Sequence, residues 1–92
     1  MRRSGQTRTA LRLAGGQVDP RKLLYFATIV EQGSLTKAAK CLRLSQPALS
    51  KSMDRLEGEL RTKLFDRGHT GVTLTESGEF IYSHARLIKE EM

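Results

Sequence analysis

The segment from residue 36 to residue 51 concentrates side chains that could bind a negatively charged, hydrogen-bonding surface. It contains no Asp or Glu, although the chain has 10 acidic residues. Near its end, Gln46 and Ser50 offer an amide and a hydroxyl. Its positive charges are Lys37, Lys40, Arg43 and Lys51. Cations neutralise phosphates, and amides and hydroxyls hydrogen-bond to base edges, so this combination favours contact with nucleic acid.

Two short helices are predicted to position these side chains. The first follows Ser34, a favourable N-cap, and its apolar residues recur with the spacing of one buried helix face. The second follows Ser45, another N-cap, and has Pro47 in its first turn, where a missing N–H costs nothing. The buried stripes are Leu35, Ala38, Ala39 and Leu42 in the first helix, and Leu49, Met53, Leu56 and Leu60 in the second. Only a tight turn fits between the two patterns, which is the form of a helix-turn-helix.

The second helix is predicted to turn a polar face outward. Opposite its buried stripe lie Pro47, Lys51 and Asp54, and one flank carries Gln46 and Ser50. A helix fits the major groove of B-DNA, where Gln can pair with adenine, Ser can bond to any base and Lys can reach guanine or phosphate. The alternative is an ordinary solvated helix face, but that interpretation leaves the two caps and the acid-free segment unexplained.

A small hairpin is predicted directly after this helix. Two short extended runs, 63–67 and 72–75, flank a Gly-containing loop, a pattern typical of a two-stranded wing. Arg67 lies where the first run meets the loop, and a long cation there could reach a phosphate or a narrow minor groove. The alternative is a surface ion pair of Arg67 with Asp66 or Glu59.

One helix before this unit and one after it complete the predicted domain. Asp19 and Pro20 predict the start of the first helix, and Gly33 predicts its end. The last helix follows Thr75 as its N-cap, and its apolar stripe is Ile81, Ala85, Ile88 and Met92. The breadth of the apolar arc predicts that this stripe dimerises the chain, and the alternative is that all of it packs internally.

Composition predicts one small domain with a basic arm. The chain has 92 residues and a net charge of +6. Residues 1–18 contain four arginines, no acid and no apolar period, so we expect a flexible arm there. The predicted organisation is the arm at 1–18, a helix-turn-helix domain with its wing at 19–75, and the start of a dimerising helix at 76–92.

Other function classes lack residue support. Cys41 is the single cysteine, which excludes an internal disulfide, and we expect it to be partly buried. His69 and His84 stand apart from further ligands at metal spacing, and no nucleophile is paired with a base. No apolar run approaches the roughly 20 residues that cross a bilayer, and the Arg-rich start lacks the apolar segment of a signal peptide. We therefore expect a cytoplasmic, nucleoid-associated protein that is not an enzyme, binds no metal or cofactor, and makes no membrane contact.

From about Asp19 onward the chain resembles the DNA-binding domain of the LysR-type transcriptional regulators. The resemblance rests on four blocks in this order and spacing: Ala-Ala at 38–39, Ser-Gln-Pro-Ala-Leu-Ser at 45–50, Leu-Phe-Asp-Arg at 64–67 and Leu-Thr-Glu-Ser-Gly at 74–78. It implies a mainly α fold: a winged helix-turn-helix of three helices and a two-stranded wing, followed by a long linker helix that dimerises. It also implies an effector domain for a small-molecule inducer, which this sequence does not contain.

The resemblance further implies roles for individual residues. Base contacts are implied for Gln46, Pro47 and Ser50, phosphate or minor-groove contacts for Lys51 and Arg67, and backbone contacts for Thr36 and Lys37, with Ser45 in the same DNA-binding set. Two positions depart from the family's pattern. Arg61 stands where the family usually has Gly, which predicts a slightly strained turn, and Thr70 replaces a cation at the tip of the wing.

The sequence thus predicts the sequence-specific DNA-binding module of a LysR-type transcriptional regulator, which binds pseudo-palindromic promoter sites in double-stranded DNA as a homodimer. The alternative is a winged helix that coats DNA without sequence preference or serves a protein interaction.

Overall fold

The computed structural model describes residues 19–68 and 71–91, and of residues 88–91 only the backbone. Within this part of the chain the elements are α1 (Pro20–Gln32), α2 (Leu35–Leu42), α3 (Gln46–Leu60), β1 (Phe65–Gly68), β2 (Gly71–Leu74) and α4 (Glu76–Glu91). The predicted mainly α winged helix-turn-helix is confirmed, with α2 and α3 as the helix-turn-helix and the two strands as the wing. The predicted arm at 1–18 lies outside the described residues, as do His69, Thr70 and Met92.

Capping side chains fix the starts of the first three helices, as predicted. The accepting oxygens are those of Asp19 toward Arg21 N at 2.9 Å, Ser34 toward Lys37 N at 3.2 Å and Ser45 toward Ala48 N at 3.1 Å. Each bond satisfies an N–H that has no partner within its own helix. At α1 the bond from the backbone N–H of Arg21 also holds the pKa of Asp19 below its ordinary value.

A residue with left-handed backbone ends each of these three helices. Gly33 has a φ of 70°, as its residue type predicts. Arg61 has a φ of 55°, which confirms the predicted strain at this non-glycine position. Arg43, between α2 and α3, is also left-handed, with a φ of 57°, and nothing in its residue type indicated this. The left-handed conformation costs roughly 1–2 kcal/mol for a residue with a Cβ, so the packing of the flanking elements must hold both turns, α2 against α3 at Arg43 and α3 against the wing at Arg61.

The core lies where α1 meets the other elements. Phe26 of α1 stacks on Phe65 of β1, with ring centroids 6.0 Å apart, and meets Tyr82 of α4 edge-on at 6.5 Å. The largest fully buried side chains are Phe26, Ile29, Leu49, Met53, Leu56, Leu64 and Phe65. The predicted stripe of α3 is therefore buried against α1, and this packing fixes which face of α3 remains outside.

The wing is anchored to the start of α4. Phe65 pairs with Leu74 at the base of the antiparallel hairpin, and Gly68 pairs with Gly71 at its tip. Beyond the hairpin, Thr75 N donates to the carbonyl of Leu64 at 3.0 Å. The Thr75 hydroxyl accepts from Gly78 N at 2.9 Å, which makes it the predicted N-cap of α4.

Two predictions about exposure differ from the structure. Ile81 and Ala85 are 4% and 0% exposed, because α4 lays this stripe on its own domain, chiefly against α1. Their side chains therefore support the position of α4 and offer no free surface for a second copy. Cys41, predicted to be partly buried, is exposed because α2 buries its other face through Ala38 and Ala39.

Candidate nucleic-acid interface

The first two turns of α3 present the predicted polar face. Leu49 and Met53 are buried on one side of the helix, which leaves Gln46, Pro47 and Lys51 exposed and Ser50 half-buried on the other side. The residues at the start of α3 have spare hydrogen-bonding capacity, because backbone N–H groups in a first turn lack partners within the helix. Of these, the Ala48 N–H is already taken by Ser45, so Ser45 serves here first as the cap.

The start of α2 lies beside the start of α3. Thr36 and Lys37 are both exposed in the first turn of α2. The hydroxyl of Thr36 donates to Oε1 of Gln46 at 3.1 Å. The structure therefore brings three of the predicted contact residues, Thr36, Lys37 and Gln46, to one continuous surface, which we call the reading face together with Pro47, Ser50 and Lys51.

Arg67 reaches the reading face from the wing. Its Nη1 donates to Ser50 Oγ at 2.9 Å, and its Nη2 donates to Asp54 Oδ1 at 3.0 Å. Its guanidinium also lies over the ring of Phe65, 5.1 Å from the ring centre. Phe65 and Arg67 share one side of β1 because side chains two apart on a strand point the same way.

Arg67 forms an ion pair, as in the alternative weighed for it in the sequence, but with a different acid from the two considered there. Of the carboxylates weighed, Glu59 is bound to Lys22 on α1, with Nζ and Oε2 2.9 Å apart. The acid that Arg67 contacts is Asp54, which sequence reasoning placed on the outer face of α3 without a role. A usable signal was present: Ser50 and Asp54 are one helical turn apart, so one side chain can bridge them.

The electrostatics of the surface favour an anionic partner. Lys37, Lys40, Arg43 and Lys51 are all exposed, so the cations of the acid-free segment face solvent.

Among the described residues, no group of three or more His, Cys, Asp or Glu side chains could hold a metal ion. The same part of the chain contains no helix with the length and apolar character of a membrane span.

A helix-turn-helix with an exposed polar second helix and an adjoining two-stranded wing defines the winged helix-turn-helix class of proteins. The model of the bacterial regulatory helix-turn-helix proteins of the lysR family matches residues 20–79. The chain belongs to this family.

Individual relatives agree with this assignment. The chain is 52% identical to the nitrogen assimilation regulatory protein nac of Escherichia coli (strain K12) over 68 residues. These 68 residues cover 74% of this chain and 22% of that protein. Two solved structures are similar: the CbnR_DBD–DNA complex has a TM-score of 0.75 and 38% identity over 80% of this chain and 85% of that one. The BenM_DBD/catB site 1 DNA complex has a TM-score of 0.76 and 39% identity over 80% of this chain and 83% of that one. The chain thus spans about a fifth of the length of the regulator nac and most of the two DNA-binding domains.

Proposed function

We propose that this chain is the sequence-specific DNA-binding module of a LysR-type transcriptional regulator. The observation that carries the proposal is the reading face, on which α2, α3 and the wing converge around Gln46 and Ser50. An amide, a hydroxyl and cations at the exposed start of a helix suit the major groove. Two similar structures, both complexes of DNA-binding domains with DNA, support the same conclusion.

Each residue of the reading face has a proposed role. Gln46, Pro47 and Ser50 contact base edges, because they lie where α3 would enter the major groove. Lys51 and Arg67 neutralise phosphates or line the minor groove, and Thr36, Lys37 and Ser45 contact the backbone at the start of their helices. The base contacts set the sequence, and the phosphate contacts set the register.

The test of this function is a selection of bound duplexes from a random DNA pool with the purified chain. We expect one enriched sequence, and specific binding about 10³-fold or more tighter than binding to bulk DNA. An unenriched pool would favour the alternative, a winged helix that coats DNA without sequence preference.

The module is proposed to act as a homodimer in the cytoplasm, within a longer regulator whose effector domain binds a small-molecule inducer. The last helix is the proposed contact, because among the described residues Leu87 is the large apolar side chain left exposed, at 54%. Of the residues predicted from the sequence to dimerise, Ile81 and Ala85 are buried within the domain, and Ile88 and Met92 have side chains outside the described part of the structure.

Sedimentation tests the dimer. We expect the chain to self-associate and Leu87→Glu to shift it toward monomer, since a buried carboxylate without a partner is costly. Leu87→Met is the control, because it keeps the apolar contact and should keep the association. A chain that stays monomeric at high concentration would contradict the dimer without affecting DNA recognition by a single module.

A further inference from the structure

Arg67, Ser50 and Asp54 form a three-residue bridge between the wing and α3. Two nitrogens of one guanidinium donate to two different side chains, at 2.9 Å to Ser50 and 3.0 Å to Asp54. A planar guanidinium holds such a fork with a fixed angle between its donors, which a lysine ammonium cannot reproduce. We refer to these three residues as the Arg67 bridge.

Arg67, at the centre of the bridge, packs against a buried aromatic ring. The guanidinium of Arg67 lies over the ring of Phe65, whose side chain is buried and stacked on Phe26 in the core. On the other side, Ser50 and Asp54 belong to the same helix, one turn apart. The arginine is therefore confined by three contacts to two elements, more than a typical surface ion pair has.

Asp54 puts a negative charge next to a surface that is proposed to bind DNA. It is the first acid after the acid-free segment 36–51, and 64% of its side chain is exposed. A free carboxylate next to the reading face would repel phosphates, and it would lower the affinity for every DNA sequence alike. The contact with Arg67 offsets that charge and at the same time ties the wing cation to α3.

The contact with Arg67 also constrains Ser50. A serine hydroxyl has one hydrogen and two acceptor lone pairs. Because Nη1 of Arg67 donates to Ser50 Oγ, one lone pair is occupied and the hydroxyl hydrogen is free to point elsewhere. Toward DNA, Ser50 then serves as a donor to an acceptor on a base edge, such as the N7 of a purine.

We propose that Asp54 is a positioning residue for base recognition. It holds Arg67 so that the guanidinium donates to Ser50, and it thereby sets the hydrogen-bonding direction of a base-contacting hydroxyl. This inference rests on the proposed function, because it concerns how the reading face discriminates between sequences. Its consequence is that Asp54 lowers affinity for DNA in general while it raises the preference for the correct sequence.

The test compares wild-type chain, Asp54→Asn, Arg67→Gln and the double variant on the selected duplex and on a scrambled duplex of equal length. Asp54→Asn should raise affinity for scrambled DNA, because an acid is removed. Its ratio of selected to scrambled affinity should fall by about three- to tenfold, the range expected for one hydrogen bond of ordinary strength. In the Arg67→Gln background, Asp54→Asn should change both affinities by the same factor, because the bridge is already broken.

Asp66→Asn is the matched control. It removes the same charge from an exposed position on the wing that lies outside the bridge, and it should leave the affinity ratio unchanged. All the substituted side chains are exposed, so each variant should fold like the wild type. Thermal unfolding of each variant checks this.

The outcomes separate this proposal from the proposed function. A wild-type ratio of selected to scrambled affinity near one would contradict the proposed function and the positioning role together. A large wild-type ratio that Asp54→Asn leaves unchanged would overturn the positioning role alone. A ratio that falls equally with and without Arg67 would also overturn it, because Asp54 would then act independently of the bridge.

Discussion

The hydroxyl of Thr36 donates a hydrogen bond to Oε1 of Gln46 at 3.1 Å, and this bond joins the first turn of α2 to the first turn of α3. The bond turns the amide oxygen of Gln46 toward α2 and leaves the amide N–H groups free for another partner. A glutamine that reads adenine must present its amide in one fixed orientation, because donor and acceptor then match N7 and N6 of the base.

Thr36→Val should therefore impair reading by Gln46. We expect a loss of about 0.5–1.5 kcal/mol of binding free energy on the selected duplex and a smaller loss on scrambled DNA. Thr36→Ser keeps the hydroxyl and should retain the preference. Equal losses on the two duplexes would instead mean that Thr36 contacts phosphate only, and binding titrations on both duplexes decide between the two.

Lys51→Gln should weaken binding to all sequences by a similar factor. Lys51 is exposed on the reading face, and a phosphate contact carries no sequence information. Each lost phosphate contact should reduce the slope of log affinity against log salt by about 0.9. Titrations over a range of salt on selected and scrambled DNA measure that slope, and a loss confined to the selected duplex would show that Lys51 reads a base.

Gly78→Ala should destabilise the domain. Gly78 is buried in the first turns of α4, and a Cβ there would collide with the backbone carbonyl of Leu64 and press on the side chain of Leu74. Overpacking of this kind costs about 1–3 kcal/mol, more than the gain in helix propensity from replacing glycine.

Gly58→Ala on α3 is the matched control for that substitution. Gly58 is exposed, and a Cβ there would meet nothing within 4 Å. It should stabilise the domain by about 0.5–1 kcal/mol, because glycine within a helix loses more backbone entropy than alanine. Denaturant unfolding measures both variants, and a Gly78→Ala domain at least as stable as the wild type would show that contact with Leu64 does not limit position 78.

Deletion of residues 1–18 should lower affinity for all DNA sequences and make binding less sensitive to salt. The segment holds four arginines and no acid, and each phosphate it neutralises adds about 0.9 to the salt slope. The measurement is again log affinity against log salt. An unchanged slope would show that the arm does not touch DNA, and a loss confined to sites flanked by A·T pairs would show that it enters the minor groove.

Local chemistry made much of this fold predictable from the sequence. Ser34 and Ser45 are capping types followed by apolar residues at helical spacing, and Gly33 is the type that a left-handed helix end favours. Each of these signals is contained within a few residues. The buried stripe of α3 follows in the same way from its spacing, and with it the exposure of Gln46.

Contacts between elements were not predictable in the same way. The partner of Arg67 depends on how the wing crosses α3, and no local pattern encodes that crossing. The left-handed backbone of Arg43 is imposed by the two helices it joins, since arginine itself disfavours it. Ile81 has a spacing that fits either a core or a dimer contact, and only the docking of α4 on α1 shows which side it occupies.

The most direct test of DNA reading by α3 is to measure the binding of Gln46→Ala to the selected duplex and to scrambled DNA. We expect a loss of about 1–3 kcal/mol on the selected duplex, little change on scrambled DNA, and relaxed preference at one base position. Equal losses on both duplexes, with the base preference intact, would contradict the conclusion that this face of α3 reads sequence.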